Sequence, residues 1–191
     1  MTKYGKFIIA MISIILPSVA FAIDCPLYVK ATIGGEYLKG TTDRYNFAPF
    51  IAIGPGLHIT KDFRTDLMLE YHFNPLVKQN GVRKRGNLSS LMLNGYIDVF
   101  NFGLGRIFVG AGAGFAQIEG RGLFPIGTRL KNFDNLTYSL MAGVTSKISE
   151  KISLDLTYSW KDFGKTKAKD VTAKAIPFRG HFATFGIRFD F

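Results

Sequence analysis

ISLDLTYSW, residues 152–160, alternates without a break: Ile152, Leu154, Leu156, Tyr158 and Trp160 fall on one face, and Ser153, Asp155, Thr157 and Ser159 on the other. A period of two is the pattern of a β-strand with one apolar and one polar side. Its length suits a strand tilted across a bilayer, which needs about 9–11 residues, whereas strands of soluble domains usually run to about 5–6. The pattern recurs in FRTDLMLEYHF (63–73), where Phe63, Thr65, Leu67, Leu69, Tyr71 and Phe73 oppose Arg64, Asp66, Met68, Glu70 and His72. In ATFGIRFDF (183–191), Ala183, Phe185, Ile187, Phe189 and Phe191 alternate with Thr184, Gly186, Arg188 and Asp190.

Working outward from these stretches, eight such segments are predicted, at 27–38, 46–58, 63–73, 88–100, 106–118, 135–147, 151–163 and 178–191. Their connections alternate too: short near 60–62, 101–105 and 147–151, long at 74–87, 119–134 and 164–177. Short turns on one side and long loops on the other predict an all-β fold, an eight-stranded antiparallel up-and-down transmembrane β-barrel of the bacterial outer membrane, with both termini periplasmic and the loops at the cell surface. Tyr71, Phe73, Tyr158 and Trp160 then fall at the outer interface and Phe63, Phe189 and Phe191 at the inner one, as two aromatic girdles. A soluble lipocalin-type barrel would turn its apolar face inward and present a polar exterior.

The first 22 residues, MTKYGKFIIAMISIILPSVAFA, read as a secretory signal peptide: Lys3 and Lys6, an apolar run from Phe7 to Leu16, a breaker at Pro17, then Ala20 and Ala22 spaced for cleavage. The apolar run is too short for a membrane-spanning helix, which needs about 20 residues. Residues 1–22 are therefore expected to be removed, leaving a barrel domain at 23–191. Cys25 follows Asp24, where a lipid-attachment signal would place a small residue. A hydrophobic fraction of 47% and a charged fraction of 20% exclude general disorder, and one Cys excludes a disulfide scaffold or a Cys-based zinc site. Export removes nucleic acid as the explanation of the net charge of +10.

The polar strand faces should fill the lumen, which in a barrel of this size has room only for side chains. Lys30, Arg64 and Arg188 are expected to meet Glu36, Asp66, Glu70, Asp98, Asp155 and Asp190 there as a salt-bridged plug. Gly110, Gly112 and Gly114 should face inward and leave room for neighbouring lumen side chains. No helix pattern follows them, so they form no dinucleotide site, and no metal or other cofactor is expected. His72 and His181 fall near the outer rim, where lipid deacylases and proteases of this architecture keep their sites, yet neither has a nucleophile beside it in sequence. No catalytic residue is assigned.

The charge lies elsewhere. Loop 74–87 carries Lys78, Arg83, Lys84 and Arg85, and loop 164–177 carries Lys165, Lys167, Lys169 and Lys174 against Asp170. Arg121, Arg129 and Lys131 stand against Glu119 and Asp134 in the third long connection, beside an apolar stretch that contains Phe124. Together with the first outer connection these segments carry a net +9, compared with +8 for residues 23–191 as a whole. A basic crown of this kind can neutralise lipopolysaccharide phosphates, or steer an acidic protein or sulfated glycan to the surface.

IDCPLYVKATIG (23–34), KDFRTDLML (61–69), LNGYIDVFNF (93–102), VGAGAGFA (109–116), LTYSWKDFGKTKAKDV (156–171) and GIRFDF (186–191) resemble the small outer-membrane surface adhesins of rickettsiae, within the broader OmpA-like and opacity-like eight-stranded barrels. The succession LNGYIDVFNF, YSWKDFGKTKAK, GIRFDF is the specific part of the likeness. The resemblance implies an adhesin that binds host epithelial surface proteins, with the serum protein vitronectin as a candidate; the barrel is expected to be a monomer. Termination on Phe191, with Phe189 and Ile187 at the preceding outward positions, looks like the C-terminal signal read by the barrel assembly machinery.

Overall fold

The computed structural model describes residues 26–39, 45–73, 76–79, 82–121, 134–166 and 176–191. They form strands β1 (Leu27–Lys39), β2 (Tyr45–His58), β3 (Phe63–His72), β4 (Leu76–Gln79), β5 (Val82–Asn101), β6 (Gly105–Arg121), β7 (Asp134–Lys147), β8 (Ile152–Thr166) and β9 (Ile176–Asp190). The long strands pair antiparallel with their chain neighbours, β9 pairs with β1, and β3 pairs with β5 to close a barrel of eight. β4 is an addition to that barrel, paired with the far end of β5.

The wall is inside out compared with a soluble barrel. Outward positions leave large apolar side chains exposed, among them Leu156 (63%), Leu140 (61%), Phe115 (60%) and Ile53 (57%). Inward positions bury Lys30, Glu36, Arg64, Asp66, Glu70, Asp155, Lys161 and Arg188. Such an exterior is stable only in hydrocarbon, and closure leaves the barrel itself no unpaired edge to place there.

Three tight turns join the strands at one end. Ile59-Thr60-Lys61-Asp62 and Ile148-Ser149-Glu150-Lys151 have the same construction: the N–H groups of Ile59 and Ile148 donate to the carbonyls of Phe63 and Ile152, and the hydroxyls of Thr60 and Ser149 accept from the N–H groups of the same two residues. The third turn runs through Gly103, whose φ of +85° suits glycine and whose N–H donates to the Asn101 side chain.

Two departures from strict alternation occur. The register between β5 and β6 slips between Asp98 and Phe100, so that Val99 and Phe100 both stand exposed. A bulge admits one extra residue and turns the next side chain to the face its neighbour already occupies. A second slip lies between Asp162 and Lys165 opposite β9, where Gly164 takes a φ of +79°.

The segment 74–87, expected as a long loop between two strands, is strand over 76–79 and from 82 onward. Leu76 pairs with Arg85, Val77 with Lys84, Lys78 with Arg83 and Gln79 with Val82, so paired strand extends past the barrel at this end of β5. The proposed signal peptide, Cys25, and Phe124, Arg129, Lys131, Lys167, Lys169 and Lys174 lie outside the described residues.

Candidate functional site

Inside the barrel the charged side chains pair in layers. At the turn end Arg64 bonds Asp98, and its other terminal nitrogen reaches the Thr145 hydroxyl at 3.3 Å. Arg106 approaches the second Asp98 oxygen at 3.2 Å, and His58 Nε2 lies 2.9 Å from Asp190. Here a vestibule of about 590 Å³ opens between the turns, lined by Arg64, Asp98, Arg106, Arg188 and Asp190.

Mid-barrel, Lys30 stands 3.2 Å from Asp155 and 3.8 Å from Asp66. Asn94 and Tyr96 donate to Asp66, and Thr145 donates to Asp155 at 2.6 Å. The Arg64 guanidinium also lies over Phe108, 4.6 Å from the ring centre. Beside Lys30 and Lys161 a void of about 40 Å³ remains, space for no more than ordered water.

Above this layer Glu70 accepts from Lys161 and from the Ser90 hydroxyl, and His72 sits between Glu70 and Glu36. Phe50, Phe163 and Phe182 pack around the His72 ring at centroid distances of 5.0, 5.4 and 5.9 Å. The salt-bridged lumen predicted from alternation is therefore present, with Lys161 as a further cation. The inward aromatics were not foreseen; they occupy inward register positions, which is the signal that finds them.

The inward glycines do what steric reasoning assigns to them. A methyl group on Gly112 would strike Asn94 Oδ1 and come within 2.5 Å of Ser139 Oγ, and one on Gly110 would lie 2.8 Å from the Tyr96 ring.

The two histidines considered for catalysis lie in different settings. His72 is fully buried and bonded to Glu36, while His181 is on the outer wall, its Nδ1 2.7 Å from the Tyr158 hydroxyl. Among the described residues neither has a serine as a hydrogen-bond partner.

At the end opposite the turns, strand register brings basic positions together. Lys78 lies opposite Arg83, and Arg85 lies opposite Arg121 on the neighbouring strand. Lys165, next to last in β8, lies opposite Pro177.

No protein-family model matches the chain. A protein of Rickettsia rickettsii named "Putative adhesin" is 30% identical over 93% of this chain and 94% of its own. A protein of the same name from Rickettsia bellii is 32% identical over 72% of this chain and 73% of its own. Among solved structures, Neisserial surface protein A covers 86% of the chain and 97% of its own with a TM-score of 0.68 at 15% identity. Ail, the attachment invasion locus protein of Yersinia pestis, covers 88% of the chain and all of its own with a TM-score of 0.51 at 10% identity.

Proposed function

We propose that this chain, which belongs to a rickettsial family of outer-membrane barrels several of whose members carry the name adhesin, is itself an adhesin, monomeric, with the loop end turned to the cell surface and both termini in the periplasm. The barrel is its scaffold. One observation carries the reading: the lumen is filled by paired charges and aromatic rings, leaving the loop end, where the excess of cations is gathered, as the working surface.

The partner that suits this surface is an acidic host surface or serum protein, vitronectin among the candidates. Lys78, Arg83, Lys84, Arg85, Arg121, Arg129, Lys131, Lys165, Lys167, Lys169 and Lys174 would steer it, and Phe124 would add apolar contact. A rigid scaffold that presents variable loops is a common way to place binding residues. A signal peptide at 1–22 and the aromatic C-terminal pattern of Ile187, Phe189 and Phe191 would deliver the chain to the outer membrane and its assembly machinery.

The test is binding of the folded barrel to host surface proteins and to vitronectin. Replacing Arg83, Lys84, Arg85, Lys165, Lys167 and Lys169 by Gln is expected to weaken binding and flatten its dependence on salt. Unchanged binding in that variant would remove the basic crown from the mechanism. A wild-type barrel without saturable binding would favour a second reading, a passive barrel that stabilises the envelope through lipopolysaccharide contacts.

A further inference from the structure

On the lipid-facing wall, apolar almost throughout, one small polar group stands out at the loop end. Among residues whose side chains are described, Arg179 is the one cation facing outward in that half of the barrel. Asp162, its partner across the β8–β9 pair, holds it through Nε at 2.7 Å. That bond fixes the guanidinium plane, and among the described residues no partner is recorded for its two terminal nitrogens. The side chain stays 55% exposed, against 20% for Asp162.

Two residues nearer the membrane centre on the same face, about 7 Å along the strand, His181 stacks on Tyr158 and shares a hydrogen bond with its hydroxyl. Both are exposed, and the other ring nitrogen of His181 has no partner among the described residues. Trp160 and Tyr37 lie opposite His181 in the two flanking strands. Trp and Tyr gather at the level of lipid headgroups, so this cluster marks the depth of the outer interface, and Arg179 stands just above it.

We propose that Arg179, oriented by Asp162 and flanked by His181, Tyr158 and Trp160, is a seat for the phosphate of a net-anionic outer-leaflet lipid, as distinct from a zwitterionic one whose own ammonium offsets its phosphate. An Arg guanidinium presents its two terminal N–H groups as a fork that matches phosphate oxygens. His181 offers a further donor on the membrane side, where an unpaired polar atom facing hydrocarbon is costly. Asp162 orients the seat and also opposes an anion within it, so the phosphate is held selectively rather than tightly. The site is separate from the basic crown and does not depend on what the crown binds.

Trp160 is the only tryptophan of the chain and therefore reports on this position alone. The barrel, reconstituted in phosphatidylcholine vesicles, is titrated with brominated phosphatidylglycerol or brominated phosphatidylcholine while Trp160 quenching is followed. The wild type should prefer the anionic lipid about twofold or more, below the roughly fivefold that one unopposed cation is worth at a membrane surface. R179Q should lose that preference, and K151Q, which removes a charge at the turn end, should keep it. Equal quenching by both lipids in the wild type, or a preference that survives in R179Q, overturns the proposal.

Heat-modifiable electrophoretic mobility shows whether each variant has folded. Should R179Q fail to insert, D162N serves in its place: removing the competing carboxylate is expected to raise the preference, and an unchanged or lower value overturns the proposal. Unbrominated lipid A and phosphatidylglycerol, compared as competitors that restore Trp160 emission, separate a lipopolysaccharide phosphate from a phospholipid headgroup. Restoration by either upholds the phosphate seat, and restoration by neither rejects it.

Discussion

His72 Nδ1 lies 2.7 Å from Oε2 of Glu36, with both side chains wholly withdrawn from solvent inside the barrel. The pair ties β3 to β1 across the lumen. Removing one partner of a buried pair leaves the other charged or polar group unmatched, at a cost of about 3–5 kcal/mol, whereas replacing both with apolar groups of similar size can be close to neutral. H72A and E36A should each lower unfolding stability in lipid vesicles by that order. The double variant H72F/E36L should recover most of the loss, because the ring would join Phe50, Phe163 and Phe182. Additive losses would show that the two side chains act independently.

Gly112 and Gly95 separate the two faces of the wall. A methyl at position 112 meets Asn94 and Ser139, while one at 95 meets only the edge of the Phe63 ring at 3.6 Å. Overpacking costs about 1–3 kcal/mol, and an Ala that fits in place of Gly gains about 0.4–1 kcal/mol by restricting the unfolded chain. G112A should therefore unfold at lower urea concentration than the wild type and G95A at equal or higher concentration. The reverse order would mean that the lumen side of β6 is less tightly filled than its contacts indicate.

Asp98 serves two arginines in unlike surroundings. Arg64 is buried, with a side chain 3% exposed, and Arg106 is 45% exposed. Removing Asp98 strands the buried guanidinium, so D98A should cost about 3–5 kcal/mol. R106Q removes a largely hydrated partner and should cost less than about 1 kcal/mol. Urea unfolding of both in the same vesicles compares them directly.

How much of this was legible in the sequence follows from what each feature depends on. Face assignments needed only parity: Lys30, Asp66 and Asp155 stand inward and Leu156, Tyr158 and Phe185 outward, as alternation requires. Parity fails where the register itself slips, and nothing in DVFN (98–101) announces the bulge that turns Phe100 outward. The pairing inside 74–87 is hidden for a related reason: VRKRG (82–86) shows no apolar alternation, and Leu76–Gln79 and Val82–Arg85 become strands only by pairing with each other. The phosphate seat was illegible for another reason. Arg179 and Asp162 are 17 residues apart and meet only once β8 and β9 are in register.

Phe191 separates assembly from stability. It is 72% exposed, its ring meets Phe189 at 5.4 Å, and its N–H donates to the Leu27 carbonyl at 3.0 Å. So little contact means that deleting it should change the stability of the folded barrel by about 1 kcal/mol or less. If the terminal aromatic is the element that the assembly machinery reads, the same deletion should sharply reduce the amount of protein reaching the outer membrane of an expressing cell. Urea-denatured wild-type and truncated chains would then refold into vesicles with matching yield and midpoint while their cellular outer-membrane levels diverge. A parallel fall in both measurements would instead make Phe191 part of what holds the closing strands β9 and β1 together.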